Sequence, residues 1–207
     1  RVGRNVDDVT LVAVTKGQPD TAIMAAYEAG QRVFGENRAA ELAAKAPRLP
    51  GDIEWHFIGS LQTRQAKLAL PHATLLHSMD RPRLANTWAA GEAPCPVLIQ
   101  VNVAGEQQKH GVAPEDTAAL VELVQARGLD CVGLMTIPPL VTNGEDNRIW
   151  FVELRRLRDR LAPDHHGLNE LSMGMTDDFE LAIEEGATMI RVGRAIFGPP
   201  GVPARID

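Results

Sequence analysis

Cysteines and aromatics are scarce: two cysteines in 207 residues, and 4% Phe, Trp and Tyr together. Cys95 and Cys131 each open an apolar run, as small buried hydrophobes do, so the sequence predicts neither a disulfide framework nor a thiolate metal site. No HExxH and no cluster of carboxylates supports a metal centre either. The apolar runs, such as residues 96–103, fall far short of the roughly 20 residues a membrane helix needs, and no signal-peptide pattern opens the chain. A cytoplasmic protein with no membrane partner is therefore expected. No long basic stretch offsets the net charge of −6, which argues against nucleic acid as a partner. An anion that binds here needs a local site to overcome that charge. Linkers, low-complexity tracts and close repeats are missing too, so residues 1–207 are expected to form one domain.

What is present is alternation. Short β-rich runs at 11–16 (LVAVTK), 32–37 (RVFGEN), 53–59 (IEWHFIG), 74–79 (TLLHSM), 97–103 (VLIQVNV), 131–137 (CVGLMTI), 170–175 (ELSMGM) and 189–197 (MIRVGRAIF) make eight candidate strands. Between them, Ile23-Ala26-Tyr27-Gly30, Leu120-Leu123-Val124, Trp150-Leu154-Leu157-Leu161 and Phe179-Ala182-Ile183 have the spacing of one helix face. Pro114 and Thr176-Asp177-Asp178 suit helix starts, and Gly30, Gly91, Gly128 and Gly186 suit helix stops. Such order implies parallel strands with crossover helices, either a closed (β/α)8 barrel or an open doubly wound sheet. Eight strands and the lack of a G-x-G-x-x-G after the first favour the barrel. Strand one begins about ten residues in, so an N-terminal segment is expected to be missing.

In a barrel the chemistry gathers at the C-terminal strand ends, and polar residues fall there on nearly every strand. Lys16 follows the apolar run 11–14. If buried, its amine is held neutral and able to attack an aldehyde; the alternative is a lysine snorkelling off the strand end. Ser172, Gly174 and Met175, followed by a helix start at Thr176, have the makings of a phosphate cradle, and Gly193 and Arg194 add backbone amides beside it. Turn glycines and a Thr176 helix cap are the plainer reading. Arg191, inside an apolar strand, must face a partner, either a ring nitrogen or an acidic group, unless it lies on the surface. His56 reads as a core histidine, Gln100 and Asn102 as hydrogen-bonding groups in the barrel interior, His165-His166 as a solvated turn, and residues 35–37 and Asp177-Asp178 as turn and cap residues.

Ala13-Val14-Thr15-Lys16, Phe34-Gly35-Glu36-Asn37 and Trp55-His56-Phe57-Ile58-Gly59-Ser60-Leu61-Gln62 form the first half of a series of motifs. Gly133-Leu134-Met135, the segment 171–178 (LSMGMTDD) and the segment 191–198 (RVGRAIFG) complete it. In this order and across nearly the whole chain, they resemble the pyridoxal phosphate homeostasis protein family. The resemblance implies a barrel like the N-terminal one of alanine racemase, of pyridoxal phosphate fold type III, holding pyridoxal 5′-phosphate as a Schiff base on Lys16. It implies that Ser172, Gly193 and the Arg194 amide hold the phosphate. Arg191 would face the pyridine nitrogen, and Asn37, Met135 and Met175 would line the ring. Arg194 stands where the family often has a small hydroxyl residue, and His110 in the loop 107–111 is another departure. The implied role is buffering or delivery of the cofactor, with enzymes that use it as partners, in a monomer that is not itself an enzyme. A racemase or decarboxylase of the same fold is the alternative. A racemase needs a second base, and the only tyrosine, Tyr27, is expected on an outer helix. A Schiff-base aldolase would want its lysine on strand six, where Met135 stands.

Overall fold

The computed structural model describes residues 3–106, 108–139 and 146–198; Gln107 and the ends of the chain lie outside them. Eight strands, β1 (Thr10–Val14), β2 (Val33–Glu36), β3 (Glu54–Phe57), β4 (Leu75–Met79), β5 (Val97–Gln100), β6 (Cys131–Met135), β7 (Glu170–Ser172) and β8 (Met189–Val192), pair in sequence order. β1 also pairs in parallel with β8, from Thr10 with Met189 to Ala13 with Val192. An open doubly wound sheet would leave two free edges. Here there are none, and the fold is a (β/α)8 barrel.

The helices are α1 (Asp20–Glu28), α2 (Ala39–Lys45), α3 (Ala66–Ala69), α4 (Pro82–Ala89), α5 (Thr117–Ala126), α6 (Arg148–Leu161), α7 (Phe179–Glu184) and α8 (Arg194–Phe197). In α6 the buried face is Phe151, Leu154 and Leu157, one residue round from the predicted Trp150 stripe. The eighth strand is shorter than its apolar run suggests. The Gly193 carbonyl accepts the amides of Ile196 (3.0 Å) and Phe197 (2.9 Å), so the chain turns into α8 at Gly193. The first strand likewise ends at Val14, and Thr15, Lys16 and Gly17 form the turn beyond it.

The main core lies between strands and helices, around side chains such as Phe34, Leu42, Leu76, Trp88, Ile99 and Phe151, all fully buried. Each such side chain contributes about 1.5–3 kcal/mol of hydrophobic stabilisation. A second cluster, Leu75, Leu98, Met135 and Met189, is separate from it. Side chains two apart on a strand share a face. His77 therefore lies on the face of Leu75, Gln100 on that of Leu98, and Arg191 on that of Met189. The barrel interior is thus an apolar layer with a polar layer on its C-terminal side. Among the described residues no helix is long and apolar enough to cross a membrane.

Candidate functional site

A cavity of about 330 Å³, a size usual for small-molecule sites, opens at the C-terminal strand ends. Six of the expected site residues line it: Lys16, Asn37, Met175, Arg191, Gly193 and Arg194. Gln18, Ile58, Ile137, Thr176 and Asp177 are also in the wall. Three of the lining residues are cations, and the acid among them, Asp177, is ion-paired with Arg194. The cavity is therefore locally positive in a chain of net charge −6.

Of the two readings of Lys16, the structure shows the lysine at an exposed strand end. Its side chain is exposed, not buried, because β1 stops at Val14 and the chain has already turned into the cavity mouth. What is buried is the turn's support. The Thr15 hydroxyl donates to Glu36 Oε1 (2.7 Å), and Lys45 Nζ donates to the same oxygen (2.5 Å) and to the Thr15 carbonyl (2.8 Å). The Gly17 amide donates to Glu41 Oε2 (3.1 Å). Both neighbours of Lys16 are thus tied to α2 and the end of β2, which narrows the positions its amine can take. Glu36, expected in a turn, is a fully buried carboxylate. Next to it, Asn37 Oδ1 is buried in the cavity wall without a hydrogen-bond partner, a group that a bound molecule would satisfy.

Strands β7 and β8 sort the remaining candidates. Ser172, expected to hold phosphate, does not line the cavity; it is fully buried, and its hydroxyl is engaged by Arg191 and His77. β7 ends at Ser172, and the hydroxyl-bearing residue of this segment that lines the cavity is Thr176, four residues further on. Thr176 is not the helix cap either, since α7 begins after Asp178. Gly174 also lies outside the lining. Its φ is +92°, and a Cβ at this position would stand only 2.5 Å from Ala182 Cβ, so it is a packing glycine. Its carbonyl accepts the Arg191 amide at 3.0 Å. Met135 is fully buried in the interior apolar cluster instead of at the cavity.

Arg191 is 4% exposed and faces inward. Nη1 donates to Ser172 Oγ (2.6 Å) and Nη2 to the Thr136 carbonyl (2.8 Å). Burial pulls its pKa down to about 10, partly opposed by the nearby Asp178 carboxylate. It remains a cation at neutral pH.

His56 is buried as expected, but it is not isolated: its Nδ1 lies 3.0 Å from Nε2 of His77. His77 carries no local sequence signal, because its bonding partner Ser172 is 95 residues away. The Gln100 amide donates to the His110 carbonyl, and Asn102 organises its own loop through Glu106. The Tyr27 hydroxyl donates to Asp52 on the exposed outer side. Of the expected solvated pair, His165 is buried and His166 exposed.

The family model for the alanine racemase N-terminal domain matches residues 1–200. In fold, the structure is similar to alanine racemase from Corynebacterium glutamicum: TM-score 0.75 and 18% identity, over 97% of this chain and 58% of that one. Barrel and site thus define a protein of the alanine racemase N-terminal class. A pyridoxal phosphate homeostasis protein from Aquifex aeolicus is 43% identical over 205 residues, covering 96% of this chain and 90% of the relative. PipY of Synechococcus elongatus PCC7942, solved with pyridoxal phosphate bound, is 39% identical with TM-score 0.80, over 92% of this chain and 93% of that one. The chain belongs to the pyridoxal phosphate homeostasis protein family.

Proposed function

We propose that this protein binds pyridoxal 5′-phosphate and serves its intracellular balance, with Lys16 as the attachment point. The observation that carries the proposal is the exposed Lys16 amine in a locally positive cavity whose wall holds an unpartnered buried Asn37 Oδ1. These features fit a flat ring carrying an aldehyde and a phosphate. When bound, the cofactor supplies an aldehyde that condenses with a primary amine, losing water. Thr176, Gly193 and the Arg194 backbone suit the phosphate, in place of Ser172 and Gly174. Met175 and Asn37 suit the ring, and Arg191 its nitrogen, with Met135 shaping the barrel interior beneath.

A carrier role accords with the homeostasis names of the relatives and with Tyr27, which lies on the outer helix α1 with its hydroxyl donating to Asp52. An arginine, unlike an acid, leaves a pyridine nitrogen unprotonated and weakens the ring as an electron sink. The partners fitting this role are cytoplasmic enzymes awaiting their cofactor, supplied by a monomer. Absorbance titration tests the proposal. The wild-type protein with pyridoxal phosphate gains a visible band that borohydride bleaches, and Lys16→Ala, with an unchanged circular dichroism spectrum, does not. A borohydride-sensitive band retained in Lys16→Ala would overturn the assignment.

A further inference from the structure

Beneath the cavity a line of buried polar side chains crosses the barrel interior. It joins Arg191, Ser172, His77 and His56, each at most 5% exposed. Arg191 Nη1 lies 2.6 Å from Ser172 Oγ, Ser172 Oγ lies 2.9 Å from His77 Nδ1, and His77 Nε2 lies 3.0 Å from His56 Nδ1. The count of protons sets the direction. A guanidinium only donates, so Ser172 accepts from Arg191. Its hydroxyl has one proton. Were it also to accept from His77, that proton would have no partner in a fully buried place, at about 1–3 kcal/mol. Ser172 therefore donates to His77 Nδ1. His77 then carries its proton on Nε2 and donates to His56 Nδ1, which leaves the His56 proton on Nε2 as well. Burial holds both imidazoles neutral, with the Arg191 charge adding to the effect at His77.

We propose that Ser172, His77 and His56 are positioning residues, a one-way hydrogen-bond chain of two neutral Nε2–H histidines that aims the Arg191 guanidinium at the cavity. The chain accepts one Arg191 proton, and the Thr136 carbonyl accepts another (2.8 Å). The guanidinium is fixed from two sides, and whatever stands before it in the cavity must accept a hydrogen bond. The chain matters to the cofactor only if the cofactor binds, so this inference rests on the proposal above for its optical arm alone.

The direct test is nitrogen-15 NMR of the imidazoles in the ligand-free protein at pH 7. Neutral Nε2–H signals are expected for both His77 and His56, and an Nδ1–H form or a cation at His77 would overturn the chain. The second arm uses variants loaded with pyridoxal phosphate. His77→Asn keeps an acceptor near the Nδ1 position, while His77→Leu and Ser172→Ala break the chain. The breaking variants should shift the visible band and lower cofactor retention about tenfold, and His77→Asn should restore the wild-type spectrum. If the leucine variant does not fold, Ser172→Ala, which removes only a hydroxyl, decides this arm. A spectrum and retention unchanged in Ser172→Ala overturn the positioning role. If the wild-type protein takes up no pyridoxal phosphate, the function fails, and the NMR arm still judges the chain.

Discussion

Thr176 and Ser172 illustrate how one hydroxyl can stand in for another along a strand. Both belong to the segment 171–178, and reading the strand through to Met175 makes Ser172 the natural phosphate ligand. The strand ends three residues earlier, at Ser172 itself; Ser172 is fully buried with its hydroxyl against Arg191 and His77, and Thr176 lines the cavity. The expected consequence is specific to the phosphate end. Thr176→Val loses a hydrogen bond to a charged group, about 1.5–3 kcal/mol, so retention of pyridoxal phosphate falls at least roughly tenfold while binding of pyridoxal, which has no phosphate, is unchanged. Equilibrium dialysis with the two ligands checks this; an equal loss for both places Thr176 at the ring instead. Lys16, Asn37, Met175, Arg191, Gly193 and Arg194 were legible because strand ends and apolar flanks mark cavity positions in a barrel. The burial of Met135 and Ser172 was not, since what encloses them comes from other strands of the barrel: Leu75, Leu98 and Met189 around Met135, and Arg191 and His77 on the Ser172 hydroxyl.

Among the elements, α2 braces the site although it donates no lining residue. Its Lys45 closes a buried ion pair with Glu36 at 2.5 Å, with side chains 8% and 0% exposed, and this pair shares its oxygen with Thr15, next to Lys16. Removing one member of a buried pair leaves an uncompensated charge, about 3–5 kcal/mol. Lys45→Met should therefore lower stability by about that amount in urea denaturation, and Lys45→Met with Glu36→Leu should recover most of it. A single variant as stable as wild type would show that the pair does not brace the turn. Residues 35–37 read in sequence as a turn, because an acid beside a glycine and an asparagine is common in turns. The lysine that makes Glu36 tolerable inside lies nine residues away, beyond any local pattern. The eight strands, by contrast, were visible in apolar runs, because strands buried on both faces need continuous apolar sequence.

For the whole molecule, closure of β1 on β8 brings Lys16, the Thr176 turn and Arg191 to one mouth, and it also encloses two neutral histidines. An unfolded imidazole takes a proton below its usual 6.5, whereas burial lowers His56 to about 4 and His77 well below its usual value. Between about pH 6.5 and 4 the unfolded chain binds more protons, so stability is full above that window and falls as pH drops through it. His56 alone accounts for a loss on the order of 3 kcal/mol. Urea midpoints measured from pH 7 to 4 should fall, and His56→Gln should flatten the curve; a slope unaltered by that change would mean that His56 takes up its proton over the same pH range folded and unfolded. The central claim is that a locally positive barrel mouth presents one amine, Lys16, to an aldehyde. Its most direct measurement is peptide mapping by mass spectrometry after borohydride reduction of the protein loaded with pyridoxal phosphate. The account predicts the added mass on the peptide containing Lys16, and the same mass on a peptide containing Lys45, Lys67 or Lys109 in its place would contradict it.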